Sequence, residues 1–284
     1  MIEIVADSTC DLPKNLIEEY NIHVLPLHIL LGEEDHLDGV DLTLEELFAW
    51  SDAHQATPKT SAPSLQEAIV LLEPLVATGA EVVCLPISAK LSASGDVLRL
   101  AAEKLGATDQ VHIIDTKNVS TGLGVLAMKA AQMARDGADV QEIIRTMEDL
   151  SARLTVTFIV DTLTYLYRGG RCSGVAALFG NVLRIHPRIL VNDEGALVPD
   201  KKYRGKMDHV TQVYLEEMLP LLAEADPMCA FLIHSTCTQA EIDAAVAKIR
   251  ALGHFEHILV GCTGGVVSSH CGPGTFCIGY FKHA

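Results

Sequence analysis

Along the first half of the chain, short apolar runs alternate with stretches whose apolar positions recur every three or four residues. That is the pattern of strands and helices wound around a parallel sheet. Ile2–Ala6 predicts a strand, and Asp7-Ser8-Thr9-Cys10-Asp11-Leu12-Pro13 ends it and opens a helix through Ile17 toward Tyr20. His23–Leu31 predicts a second strand, Leu44–His54 a helix, and Thr57–Ser64 a loop leading into another helix. Glu81–Ile87 is a buried strand. After it, Val97, Leu98, Ala101, Ala102 and Leu105 fall on one helical face. Val111–Ile114 predicts a strand with Asp115-Thr116 as its polar end. Leu123, Ala127, Ala130, Ala131 and Ala134 then give a helix face small enough to lie close to a sheet. Val140–Leu150 continues helical.

The second half starts with the β-branched and aromatic run Thr155–Val160, which places a domain change near residue 152. Asp161–Arg168 predicts a helix capped by Asp161 and stopped by Gly169-Gly170, followed by Arg171 and a helix through Leu183. Strands at Arg188–Val191 and Ala196–Tyr203 flank Asn192-Asp193-Glu194-Gly195, a hairpin turn. Val210–Leu222 and Glu241–Leu252 predict helices, and Cys229–His234, Ile258–Val260 and Thr275–Phe281 predict strands. The expected fold class is α/β: two α/β domains, 1–152 and 153–284, with a largely parallel sheet in the first and a mixed sheet in the second.

Composition narrows the function. The 284 residues are 49% hydrophobic and 20% charged, an ordinary globular balance that excludes disorder. The net charge of −16 repels phosphate backbones and anionic lipid heads, so no nucleic-acid partner is expected, and any membrane contact should be transient and local to a few basic residues. There is no run of 18 apolar residues, and Met1-Ile2-Glu3-Ile4-Val5 lacks the pattern of a secretory signal, so a cytoplasmic protein is expected. The eight cysteines are scattered without CxxC spacing and read as reduced, mostly buried thiols. His254 and His257 have no second pair at metal-site spacing, so no metal is expected.

Polar clusters follow several strands: Asp7-Ser8-Thr9, Ser88 to Ser92, Asp115-Thr116 and Ser268-Ser269-His270. In open α/β sheets the carboxyl ends of strands form the ligand crevice, where free amides favour an anionic head group. Taken alone, each hydroxyl is equally an ordinary helix cap. His270-Cys271-Gly272-Pro273-Gly274 sets an imidazole in a tight backbone path or is simply a turn containing a histidine. Arg171 after Gly169-Gly170, and Arg204 after a strand, offer forks for carboxylate or phosphate, or are solvated surface charges. No Gly-x-Ser-x-Gly elbow, Walker loop or Gly-x-Gly-x-x-Gly is present, which weakens kinase and hydrolase readings. A Ser92–His270 dyad stays open.

Seven of these segments, in this order, resemble the DegV family of bacterial fatty-acid-binding proteins. They are Ile4-Val5-Ala6-Asp7-Ser8-Thr9 with Asp11-Leu12-Pro13, Thr60-Ser61-Ala62-Pro63-Ser64, Ile87-Ser88 with Leu91-Ser92, Ile114-Asp115-Thr116, Gly169-Gly170-Arg171, Lys202-Tyr203-Arg204-Gly205 and His270-Cys271-Gly272-Pro273-Gly274. The resemblance implies a non-catalytic carrier without a cofactor that buries one long-chain fatty acid. In the family's fatty-acid-kinase branch, the carboxylate is presented to a dihydroxyacetone-kinase-like partner subunit and phosphorylated for phospholipid synthesis. By motif position, ligand-binding residues would be Thr60, Ser61, Ser92 and His270, with Arg171 and Arg204 as candidates for kinase docking or phosphate handling. The alternatives are an acyl hydrolase or transferase using Ser92 and His270, or a lipid-sensing regulator. Three departures bear on the head-group contacts: Ala62 replaces the family's usual Gln, Ala93-Ser94 its Gly-Thr, and Cys271 a common threonine, exchanging a hydroxyl donor for a weaker thiol.

Overall fold

In the computed structural model, β1 (Ile2–Asp7) is buried on both faces at Ile4, Val5 and Ala6, the mark of a strand inside a covered parallel sheet. The structure describes residues 1–172, 174 and 185–284, and the helix expected to run through Leu183 lies outside the described residues. Two units are distinguished, residues 1–152 with 264–267, and residues 153–263 with 268–284.

The first unit continues with α1 (Lys14–Tyr20), β2 (Ile22–Leu25), β3 (His28–Leu31), β4 (Glu34–Leu37), α2 (Leu44–His54) and β5 (Lys59–Ser61). It goes on through α3 (Leu65–Ala77), β6 (Glu81–Leu85), α4 (Ser94–Leu105), β7 (Val111–Ile113), α5 (Thr121–Arg135) and α6 (Val140–Arg153). Its main sheet is wholly parallel in the order β2-β1-β6-β7, with Ile4 opposite both Ile22 and Val83. Val5, Leu25, Cys84, Leu72, Leu98 and Ala101 share the core between that sheet and helices α3 and α4. The small face expected on α5 has its reason at Gly124, where an added Cβ would lie 2.5 Å from the Cys10 carbonyl oxygen.

The segment 23–31, expected as one strand, is two. Pro26 has no amide to continue a ladder, and Leu27 gives its N–H to the Ser8 hydroxyl at 3.0 Å instead. Beyond that break, β3 joins an antiparallel sheet in the order β4-β3-β5. Strand β5 lies in the stretch expected to be a loop, pairing Thr60 with Ile29 and Ser61 with His28. Capping boxes at Thr43 with Glu46 and Ser64 with Glu67 start α2 and α3.

The second unit contains β8 (Leu154–Ile159), α7 (Thr164–Gly169), β9 (Ile185–Val191), β10 (Leu197–Arg204), α8 (Met207–Ala223) and β11 (Cys229–His234). It is completed by α9 (Gln239–Arg250), β12 (His257–Cys262), α10 (Gly265–Cys271) and β13 (Phe276–Phe281), although the first residues of α10 belong to the first unit. Its sheet is mixed, ordered β10-β9-β8-β13-β11-β12, with only β11 and β12 parallel. Tyr214 and Met218 of α8 and Ile242 and Ile249 of α9 pack with Phe276 and Ile278. The buried Tyr214 hydroxyl is satisfied by donating to the Thr157 carbonyl at 2.8 Å. Helix α7 starts three residues later than expected: Thr162, not Asp161, accepts the Thr164 amide at 3.2 Å.

Gly279 in the middle of β13 faces the Phe231 ring, and a Cβ there would overlap two ring carbons. Gly279→Ala should therefore destabilise by about 3 kcal/mol in urea unfolding, the upper end of overpacking costs. Adding Phe231→Leu should recover part of the loss. Equal stability of Gly279→Ala and wild type would contradict this packing.

Candidate functional site

The polar residues after β1 form a connected network in the first unit. Asp7 is wholly buried, and its carboxyl oxygens accept the Thr9 amide and hydroxyl and the Ile87 amide, the last at 2.9 Å. Burial pushes its pKa up to about 6, partly offset by the hydrogen bonds from Thr9, Ile87 and Ser94. Ser94 is fully buried and shares a hydrogen bond of 2.9 Å with the half-buried Ser92 hydroxyl, so Ser92 is linked through Ser94 to Asp7. The hydroxyl named by the sequence motif thus stands at the outer end of a chain that leads back to β1.

Two further acids were not singled out from the sequence. Asp11, held at a positive φ of 49°, accepts the Ser120 hydroxyl and, at 2.8 Å, the Gly264 amide. Asp38 accepts the Ser8 hydroxyl and the Gly265 amide, each at 2.8 Å, and the Val266 amide at 3.3 Å. Burial raises both carboxyls above their ordinary range. Asp38 binds the first two main-chain donors of α10, and Asp11 binds the amide just before it. Only their position directly after strand or turn signals could have drawn attention to them.

Thr60 and Ser61 lie side by side on β5, Thr60 half-buried and Ser61 exposed. Ser64, which ends their motif, caps α3.

In the second unit His270 lies in a helical turn rather than in the open turn read from the sequence. A Cβ on Gly169 would overlap its Nδ1, so this glycine at the end of α7 makes room for the ring, while Gly170 in the left-handed region stops the helix. Burial, with a smaller contribution from the charge of Arg171, lowers the His270 pKa to about 4, so the imidazole is neutral at physiological pH. Arg171 is exposed and donates to the Gly169 carbonyl at 2.9 Å. Gly272 and Gly274, at φ of 79° and 72°, fit against Tyr165 and Asp161, where Cβ atoms would lie 2.7 and 2.9 Å away. The Gly274 amide donates to the Thr236 hydroxyl at 2.9 Å, completing a rigid path behind the histidine. Arg204 is the exposed last residue of β10, opposite Ile185. The structure therefore groups His270, Gly169 and Arg171 in one place, and Ser92, Ser94 and Asp7 in another. Among the described residues no cluster of His, Cys, Asp and Glu could hold a metal ion, and no helix is long and apolar enough to cross a membrane.

The two shifted groups act on stability with opposite sign. His270 is depressed from 6.5 to about 4, so its contribution is complete above pH 6.5 and is lost as pH falls toward 4. Relative to His270→Gln, wild type should lose about 2 kcal/mol between about pH 7 and pH 4, after discounting for the ring's partial exposure. Asp7 is raised from 3.8 to about 6, so its ionised form costs stability that is recovered as pH falls through this range. Relative to Asp7→Asn, wild type should gain about 2 kcal/mol over the same interval. Urea unfolding at each pH measures both, and profiles parallel to wild type would refute the assignments.

Comparison with known proteins places this arrangement. A family model described as an uncharacterised protein of the DegV family matches residues 1–283. A DegV domain-containing protein of Deinococcus radiodurans is 32% identical over 273 residues, covering 96% of this chain and 95% of that protein. Among solved structures, a fatty-acid-binding DegV family protein from Thermus thermophilus superposes with a TM-score of 0.89 at 28% identity, over 99% of both chains. A stearic acid-binding protein from Eubacterium ventriosum does so with a TM-score of 0.86 at 25% identity, over 99% of this chain and 98% of that one. A match running from the first residue to the last but one, through all three sheets and every motif quoted above, leaves one assignment: the chain belongs to the DegV family.

Proposed function

We propose that the protein binds a long-chain fatty acid and offers its carboxylate to a separate fatty acid kinase, without catalysing a reaction itself. The observation that carries the reading is the full-length likeness to the Thermus thermophilus protein, which is described as binding fatty acid. On this reading Thr60 and Ser92 donate hydroxyl hydrogen bonds to the carboxylate, Ser61 lies beside Thr60, and His270 completes the set. Arg171 and Arg204, both exposed, are the positions for a kinase or for phosphate.

The physical chemistry supports a binder. Burying an acyl chain at about 0.8 kcal/mol per methylene supplies on the order of 10 kcal/mol before ordering costs, enough for tight retention. The head group must then be satisfied, because a buried carboxylate without donors is costly. Neutral hydroxyls and a neutral imidazole do this without requiring a buried cation. Ser92 is hydrogen-bonded to another hydroxyl, not to a base, which suits a donor better than a nucleophile.

Native mass spectrometry of freshly purified protein, followed by organic extraction, should find one long-chain fatty acid per chain. Thr60→Ala and Ser92→Ala should each weaken rebinding about tenfold or more, the cost of a lost hydrogen bond to a charged group. A chain that is empty as purified and stays empty when fatty acid is offered refutes the reading. Retained ligand in Ser92→Ala with loss of a hydrolytic turnover would move the assignment to a Ser92–His270 enzyme. Acyl phosphate formed only when ATP, a fatty acid kinase and the loaded protein are combined would support the kinase partnership, and its absence would leave a lipid sensor.

A further inference from the structure

Both ring nitrogens of His28 face carboxylates. Nδ1 lies 2.9 and 3.1 Å from the two oxygens of Asp35, and Nε2 lies 3.0 Å from Oε2 of Glu67. A neutral imidazole carries one N–H and one lone pair, so in this position its lone pair would point at a carboxylate oxygen. Only the imidazolium, with a hydrogen on each nitrogen, satisfies both ends. Protonating a carboxylate is the other way to remove the conflict, but Asp35 is half-exposed and Glu67 is held below its ordinary range by His28 and the Ser64 cap. Among the described residues these two acids, from β4 and α3, are the charged groups facing the ring.

The location gives the charge its importance. Ser61 is the ladder partner of His28, and Thr60 that of Ile29, so the start of the Thr60–Ser64 segment is bound to the strand that carries the histidine. The end of the same segment is bound through Glu67: the oxygen that meets His28 also accepts the Ser64 amide at 2.7 Å. The backbone ladder of β3 therefore holds the start of this five-residue stretch, and the His28 side chain, through Glu67, holds its end.

We propose that His28 is a positioning residue: as an imidazolium bridging Asp35 and Glu67, it holds the Thr60–Ser64 segment in the conformation that binds the ligand head group. The proposal rests on the fatty-acid reading above for what is bound, and on the clamp geometry alone for how the segment is held. Deprotonation removes one of the two bridges, and the bound conformation becomes only fractionally populated. Apparent affinity then falls by that fraction. Burial opposes the proton, yet the bonds and charges of Glu67 and Asp35 outweigh it and raise the ring above its ordinary value, so the charged form persists to higher pH than in a free histidine.

The test measures palmitate binding by calorimetry from about pH 6 to pH 9, the window in which a raised histidine titrates. Wild type should weaken about two- to tenfold as pH rises, the range expected from two partly exposed ion pairs. His28→Gln should bind weakly throughout with a flat profile, and Asp35→Asn should fall between the two. Hydrogen exchange on the ligand-free proteins gives a readout independent of palmitate: the Ser64 amide should exchange faster in His28→Gln at neutral pH. Failure of wild type to bind palmitate would refute the carrier reading while the exchange result still decides the clamp. Unchanged exchange at Ser64, or parallel pH profiles for wild type and His28→Gln, overturns the clamp.

Discussion

A carboxyl group inside a protein has to be given donors or a proton, and just beyond β1 three of them meet that demand together. Asp7 takes the amide of Ile87, Asp11 that of Gly264, and Asp38 those of Gly265 and Val266. The Ile87 and Gly264 amides belong to connections and those of Gly265 and Val266 to the first turn of α10, so the acids determine where the connections run and where that helix starts. The requirement is mutual. An acid without the amides would be a buried charge, and the amides without the acid would be orphaned donors costing about 1–3 kcal/mol each. This is why acidic residues occur in positions that are otherwise core, and why burial raises all three while hydrogen bonds oppose the shift.

The same logic separates the hydroxyls that build from those that remain at the rim. Ser8, Ser94 and Ser120 are buried and spend their hydrogen bonds on the acids. Ser92 and Thr60 are only half-buried, next to that network or on the neighbouring sheet. Ser92 is held by Ser94 and Thr60 by the β3 ladder. On the proposed reading, donors held in this way lose little freedom on meeting a ligand, so a site of neutral groups needs no buried cation to hold an anion.

The fold class was legible because it rests on local pattern. The β-α alternation of the first unit predicted a parallel sheet, and the Asn192–Gly195 turn predicted the antiparallel β9–β10 pair. The failures have physical reasons. Residues 23–31 are apolar enough for one strand, but Pro26, which has no amide, and the redirection of the Leu27 amide to Ser8 divide them. Strand β5 has no apolar alternation because it is three residues long and is held by pairing with β3. Motif order marked Thr60, Ser92 and His270 as candidates. No local signal could announce that Gly169 makes room for the His270 ring, that Ser94 links Ser92 to Asp7, or that His28 meets Glu67 across 39 positions. Such contacts exist only once the chain has folded.

The two histidines divide the electrostatic work in a way that suits the proposed chemistry. His28 sits between two carboxylates and, on the proposed reading, carries charge for a structural purpose. His270, enclosed against Gly169 and beside the Arg171 charge, is kept neutral. A fatty carboxylate held by a charged imidazole would share its proton or have its charge quenched, and its oxygen would be a poorer nucleophile toward phosphorus. Held by neutral donors, it keeps its charge and its lone pairs. A carrier that must hand over a reactive carboxylate has more use for a histidine that refuses a proton than for one that accepts it, and the packing around His270 provides that kind.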